Sequence, residues 1–210
     1  MKAGALLISV LFSCLSYGKE YEGQFGVLWE STDNKLYLQV VDHTYDAGWK
    51  YTIQDDIQDE EIRDQRLELA SLADELIACW WCKEDDRVHL KVYHQKDDLS
   101  LEAKCEIDVE EGLGGSGKNL ALGTINLHEK GIVVAYQHED KELTLKLYRR
   151  TLNSAYLDYT LEISNDGPDD NGAIALAVGD FESDIWEEGD YAEEIAVAWD
   201  KADEYRGSAF

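Results

Sequence analysis

The stretch Phe25-Gly26-Val27-Leu28-Trp29, followed by a polar connection through Asp33 and then by Leu36, Leu38 and Val40, sets the pattern of this chain. An apolar run ending in an aromatic, then a turn, then strict period-two alternation describes a β-hairpin. One strand is buried on both faces and its partner on one. The pattern returns three times without a gap. Ile77-Ala78-Cys79-Trp80-Trp81 leads through Asp85 to Val88, Leu90 and Val92. Ile132-Val133-Val134-Ala135-Tyr136 leads through Asp140 to Leu143, Leu145 and Leu147. Ile195-Ala196-Val197-Ala198-Trp199 leads to Asp203. The anchoring aromatics at 29, 81, 136 and 199 recur every 52 to 63 residues, a period of propeller blades rather than of helical repeats.

Further strands flank each hairpin. Trp49 to Ile53, Leu99 to Ile107 and Ala155 to Ile163 follow the first three copies. Leu67 to Leu72, Leu120 to Gly123 and Ile174 to Gly179 precede the later ones. Four strands per unit is the count of a propeller blade, and one blade alone cannot bury both its faces. The expected fold is therefore all-β and β-propeller-like, with about four blade repeats. Two arrangements fit. One is a small four-bladed ring, in which strands near Ile174 and Ile195 pair with the N-terminal copy. The other is an incomplete part of a larger propeller with exposed edges. Arg206 to Phe210 carry none of the alternation found at the same offsets in the other copies.

The fourth copy carries a more specific signal. Gly179-Asp180-Phe181-Glu182-Ser183-Asp184 follows the strand at 174, and Glu193 leads into Ile195-Ala196-Val197-Ala198. This resembles the FG-GAP/VCBS repeat of integrin-alpha-like propellers. The resemblance spans most of the chain as a pattern, with the loop recognisable only here. It implies a Ca²⁺ site, since carboxylates at alternate positions of a tight loop converge on one hard cation. Asp180, Glu182, Asp184 and Glu193 are the implied ligands. The chain departs from the family by inserting Ile185 to Gly189 before Asp190 and by lacking a glycine after the third ligand. Trp186, inside that acidic insertion, is the candidate exposed recognition aromatic.

The net charge is -26, from 45 acidic and 19 basic residues. A field of that sign repels phosphate backbones and anionic lipid, which argues against nucleic-acid or membrane-surface partners. Residues 1–18 read as a signal peptide: Lys2, a short apolar run from Ala3 to Leu15, and small Ser16 and Gly18 before a cut at Lys19. The repeat domain is then 19–210. That run is too short to span a bilayer, and no other segment approaches membrane length. A lipobox-like reading of Leu11 to Cys14 places a lipid on Cys14 instead of full secretion. Cys79, Cys82 and Cys105 remain after cleavage. In an oxidising compartment one of three is left unpaired; a structural disulfide is expected, for instance Cys82 with Cys105, with the pairing among the three left open.

Other motifs lack their context. Gly112 to Lys118 is glycine-rich, but Asn119 stands where a P-loop needs Ser or Thr, and a strand rather than a helix follows. It reads as an inter-blade linker. The Cys79–Cys82 spacing lacks the βαβ setting of a redox motif. The five histidines form no ligand cluster, and His89, aligned with Tyr37 and Thr144, reads as a surface residue. The expected function is a secreted, non-enzymatic binding or adhesion module for a glycan or an extracellular protein. The alternatives are a polysaccharide hydrolase using carboxylates at the propeller mouth and a degenerate remnant without a specific partner.

Overall fold

The computed structural model describes residues 8–13, 23–30, 36–44, 48–58, 67–82, 84–96, 100–113, 119–126, 130–138, 142–164, 168, 173–179, 194–200 and 206–209. Every element among them is a strand. No helix among the described residues is long and apolar enough to cross a membrane. The chain divides into two compact units, Met1–Glu111 and Gly112–Phe210.

The first unit holds two sheets. Sheet 1 is β1 (Ile8–Ser13), β2 (Gly23–Glu30), β3 (Leu36–Thr44) and β4 (Gly48–Gln58). Sheet 2 is β5 (Leu67–Leu72), β6 (Glu75–Cys82), β7 (Arg87–Gln95) and β8 (Leu101–Glu111). Each is an antiparallel meander of consecutive strands. β6 is buried at all eight positions, whereas β8 at the sheet edge is half-buried or exposed at all but one. That difference explains the apolar run: an inner strand covered on both faces reads as continuously hydrophobic. Leu28, Leu36, Leu38 and Val40 of sheet 1 pack against Leu67, Leu69, Leu76, Ala78 and Trp80 of sheet 2.

The second unit repeats the scheme. Sheet 3 is β9 (Leu120–Ile125), β10 (Gly131–Gln137), β11 (Leu143–Arg150) and β12 (Ala155–Ser164). Sheet 4 is β13 (Ile174–Gly179), β14 (Glu194–Trp199) and β15 (Arg206–Ala209). Val133, Ala135, Leu143 and Leu145 meet Ile174, Val197 and Trp199 between them. The glycine-rich segment at 112–118 lies between β8 and β9. Two buried polar side chains hold turns here. Gln137 accepts from Asn119 and donates to the Pro168 carbonyl. The Arg150 guanidinium donates to the carbonyls of Thr151, Leu152 and Ser154, closing the β11–β12 connection.

Several expectations are corrected by the register. Among the described residues, Ile174 and Ile195 lie on β13 and β14, which pair with each other, and β14 also pairs with β15. Arg206–Ala209 is a strand despite its lack of alternation, paired through its backbone with β14. The anchoring aromatic of the second copy is Trp80 rather than Trp81. Trp29, Trp80, Tyr136 and Trp199 pair with the preceding strand at Ile8, Leu67, Leu120 and Ile174. Two adjacent tryptophans conceal this one-residue offset in the sequence. Ile8–Ser13, within the segment expected to be a leader, forms β1 on the outer side of β2. Removal of residues 1–18 leaves sheet 1 with three strands.

The expected Cys82–Cys105 disulfide is absent, and none of Cys79, Cys82 and Cys105 is disulfide-bonded. Cys82 lies across from Arg87, and Arg87 across from Glu111. Cys105 is six residues from Glu111 along β8, roughly 20 Å at the rise of a strand. A disulfide requires Cα atoms within about 7 Å. Burial pushes both the Cys79 and Cys82 thiols up from their ordinary range, with the Glu68 charge adding to the effect at Cys79. At Cys82 the backbone N–H groups of Asp85 and Glu84 oppose it. Thiolate is the reactive form. In native protein at neutral pH, a colorimetric thiol reagent is therefore expected to label Cys105 well ahead of Cys79 and Cys82, with all three reacting in denaturant. Rapid native labelling of Cys79 contradicts the buried sheet.

Close sheet approach falls on a glycine in each unit. A Cβ on Gly26 would lie 2.9 Å from the Leu69 methyl, and one on Gly123 would strike Leu176 and lie 2.9 Å from Val178. Gly123→Val is expected to destabilise the second unit by about 1–3 kcal/mol through overpacking. Urea denaturation measures this, and an unchanged midpoint refutes the packing of β9 on β13.

Candidate functional site

The β6–β7 hairpin gathers the densest set of chemically capable side chains among the described residues. Its face is set by pleating: successive residues alternate sides, so Trp80 and Cys82 of β6 share one face with Arg87, His89 and Lys91 of β7. Trp80 lies opposite His89, Cys82 opposite Arg87, and His89 opposite Asp108 of β8. Asp85 sits in the connecting turn, and Asp86 beside it takes a left-handed φ of 54°. A left-handed residue closes a tight turn, and aspartate tolerates that conformation better than most residues.

His89 is the centre of this set. Its residue is 8% exposed, so the surface position expected from sequence is corrected. Its ring stacks on Trp80, with centroids 5.4 Å apart and planes 23° from parallel. Sheet 1 has the same pair at the equivalent place, Trp29 on Tyr37 at 5.5 Å. The histidine is thus buried because it occupies the cross-strand partner slot of an anchoring aromatic. Its Nε2 meets Asp85 Oδ2 at 2.9 Å. Its Nδ1 lies 3.1 Å from Asp108 Oδ1, without hydrogen-bond alignment.

The charges around it are cross-linked. Arg87 donates to Asp108 and to Glu111, both at 3.0 Å. Lys91 meets Glu106 at 3.0 Å. On the opposite face, Trp81 Nε1 donates to Asp86 Oδ1 at 3.3 Å, tying the turn to β6. Cys82, Asp85 and His89 bring a sulfur, a carboxylate oxygen and a ring nitrogen within 4.8 Å of one another. These are metal-ligand types, and no other such group occurs among the described residues. The sequence carried a signal for it in the spacing Cys82-x₂-Asp85-x₃-His89. That signal is weak, because it becomes convergent only once the hairpin register is known.

A second surface lies on β12. Tyr156 and Tyr159 are three residues apart and in an even strand would face opposite sides. A bulge removes the mismatch: Tyr156 pairs with Arg149 and Tyr159 with Leu147, so both share one face. They are 46% and 58% exposed. Arg149 holds Asp158 of the bulge at 3.1 Å. Leu147, on the same face, packs on the cluster shared with sheet 4. Among the described residues sheet 4 has three strands, and β12 is the outermost of the four in sheet 3. The residues expected from the sequence as Ca²⁺ ligands, Asp180, Glu182, Asp184 and Glu193, lie outside the described residues, as does Trp186.

No protein-family model matches the chain. No curated protein matches it in sequence. Among solved structures, AofleA from Arthrobotrys oligospora is similar, with a TM-score of 0.55 and 11% identity over 85% of this chain and 48% of that one. The chain therefore spans about half the length of AofleA. The WD40 domain of SCAP from fission yeast matches at a TM-score of 0.38 and 8% identity, over 98% of this chain and 66% of that one. Four-stranded meanders stacked face to face, together with the first of these likenesses, make this chain an all-β protein of the β-propeller type.

Proposed function

We propose that the chain is a secreted, non-enzymatic binding module that recognises a glycan through the exposed aromatic face of β12. The supporting observation is the bulge-aligned pair Tyr156 and Tyr159, two solvated rings on one face with an ion pair beside them. Aromatic faces pack against the C–H surfaces of sugars, and the neighbouring Arg149 and Asp158 offer hydrogen bonds to hydroxyls. Tyrosine also supplies large contact area at small entropic cost, which suits recognition surfaces. The strongly negative chain disfavours polyanionic ligands and points to neutral sugars. An extracellular protein is the other occupant such a surface would accept.

The FG-GAP/VCBS resemblance adds a calcium contribution from Asp180, Glu182, Asp184 and Glu193, with Trp186 close to it in sequence. Export rests on the reading of residues 1–18 as a leader.

A glycan array with the full chain is expected to give a neutral-sugar signal. Tyr159→Ala and Tyr156→Ala are each expected to weaken it about tenfold, close to 1.4 kcal/mol. Wild-type binding by both variants rejects the β12 face. A blank array with a captured extracellular protein lost in the same variants moves the ligand class to protein. Loss of binding in EDTA that Ca²⁺ restores is expected, and binding indifferent to EDTA removes calcium from the reading. Mass spectrometry of exported chain is expected to give a mature protein starting at Lys19. A lipidated product starting at Cys14 replaces free secretion with an anchor.

A further inference from the structure

We propose that Cys82, Asp85 and His89 form a binding site for a borderline-soft divalent cation of the Zn²⁺ class, with one coordination position left open. The inference is independent of the β12 ligand and of the Ca²⁺ loop.

Three features carry it. First, the three donor atoms converge within 4.8 Å. Donors of a tetrahedral zinc shell lie about 3.3–3.8 Å apart, given bonds of about 2.0–2.3 Å. The group is thus within small side-chain movements of a first shell. Two donors, Cys82 and His89, are held by paired strands, and Asp85 comes from the adjoining turn. Second, the two ring nitrogens of His89 have different surroundings. Nε2 faces the trio, while Nδ1 faces Asp108, which Arg87 in turn holds at 3.0 Å. Asp108 is near enough to accept the far N–H once the ring turns into alignment, and a carboxylate so placed orients a ligating imidazole toward a metal. Stacking on Trp80 fixes the ring plane from one side. Third, the donor set selects the metal. Thiolate and imidazole favour Zn²⁺ and Co²⁺, whereas Ca²⁺ takes six to eight oxygen ligands.

Binding is balanced as follows. The Cys82 thiol gives its proton to solvent and bonds through sulfur. Asp85 and His89 Nε2 exchange their mutual contact for bonds to the cation: the proton between them passes to solvent, and the ring ligates as its Nδ1–H tautomer, with the proton on the side of Asp108 taken from solvent. One thiolate and one carboxylate offset the dipositive charge. Water completes a tetrahedral shell.

The test uses the full chain, reduced and stripped with chelator, titrated with Co²⁺ alone. The expected result is a thiolate-to-cobalt charge-transfer band with intense tetrahedral d–d bands, saturating at one equivalent. Zn²⁺ abolishes the bands and Ca²⁺ leaves them unchanged. Cys82→Ser removes the charge-transfer band. Asp108→Asn, which leaves all three donors in place, weakens Co²⁺ binding about 10–100-fold while keeping the spectrum. No charge-transfer band in the wild-type chain overturns the proposal, as does a band that survives Cys82→Ser. Should Cys82→Ser fail to fold, Asp85→Asn in the exposed turn decides: unchanged Co²⁺ affinity and spectrum overturn the site.

Discussion

Two inner strands, β6 and β10, face water on neither side, and the rest of the structure follows from that constraint. Both are buried along their full length. A lone meander would leave both of those faces wet, and burial of apolar surface contributes about 25 cal/mol per Å² removed from water. Each sheet therefore needs a neighbour stacked on it. Leu28, Leu38 and Val40 meet Leu69, Ala78 and Trp80 for that reason. Glycine at 26 and at 123 sets how closely such faces approach, because even one methyl group there would press on leucine from the next sheet.

The same constraint shapes the polar chemistry. A histidine placed across from an anchoring tryptophan is drawn into the interface between sheets, where a polar ring must keep partners. Asp85 supplies one at the rim, and Asp108 lies 3.1 Å from the other ring nitrogen, with Arg87 balancing the negative charge. The hairpin thus brings apolar stacking and an ionic network into contact at one residue. Trp80 Nε1 has no hydrogen-bond partner among the described residues, a sign that ring stacking rather than hydrogen bonding fixes this tryptophan.

Much of the fold was legible because strand period and burial are written directly into residue order. The apolar runs at 77, 132 and 195 became β6, β10 and β14, and the preceding strands at 67, 120 and 174 began where expected. Less was legible where the decisive quantity was a register. Trp80 and Trp81 are chemically equal, so only the pairing of Leu67 with Trp80 identifies the anchor. The bulge that turns Tyr156 and Tyr159 to one side leaves no residue signature, since Asp158 is an ordinary polar residue in an exposed strand. The Cys82, Asp85 and His89 group was missed because its convergence depends on a tight turn with a left-handed Asp86. Ile8–Ser13 has the hydrophobicity of a leader and of a strand alike, and composition does not separate those two roles.

The meander order has a consequence for synthesis. Among the described strands none waits for a distant partner: sheet 2 has all its members once residue 111 has left the ribosome, and sheet 3 once residue 164 has. Local pairing makes loop-closure entropy small at every step, which favours rapid formation of each sheet as the chain emerges. What remains slow and concentration-sensitive is the docking of one finished sheet on the next. During that interval an apolar face is open to other chains. The abundance of carboxylates then acts as a kinetic guard, because emerging chains of like charge repel one another while their sheets are still unstacked.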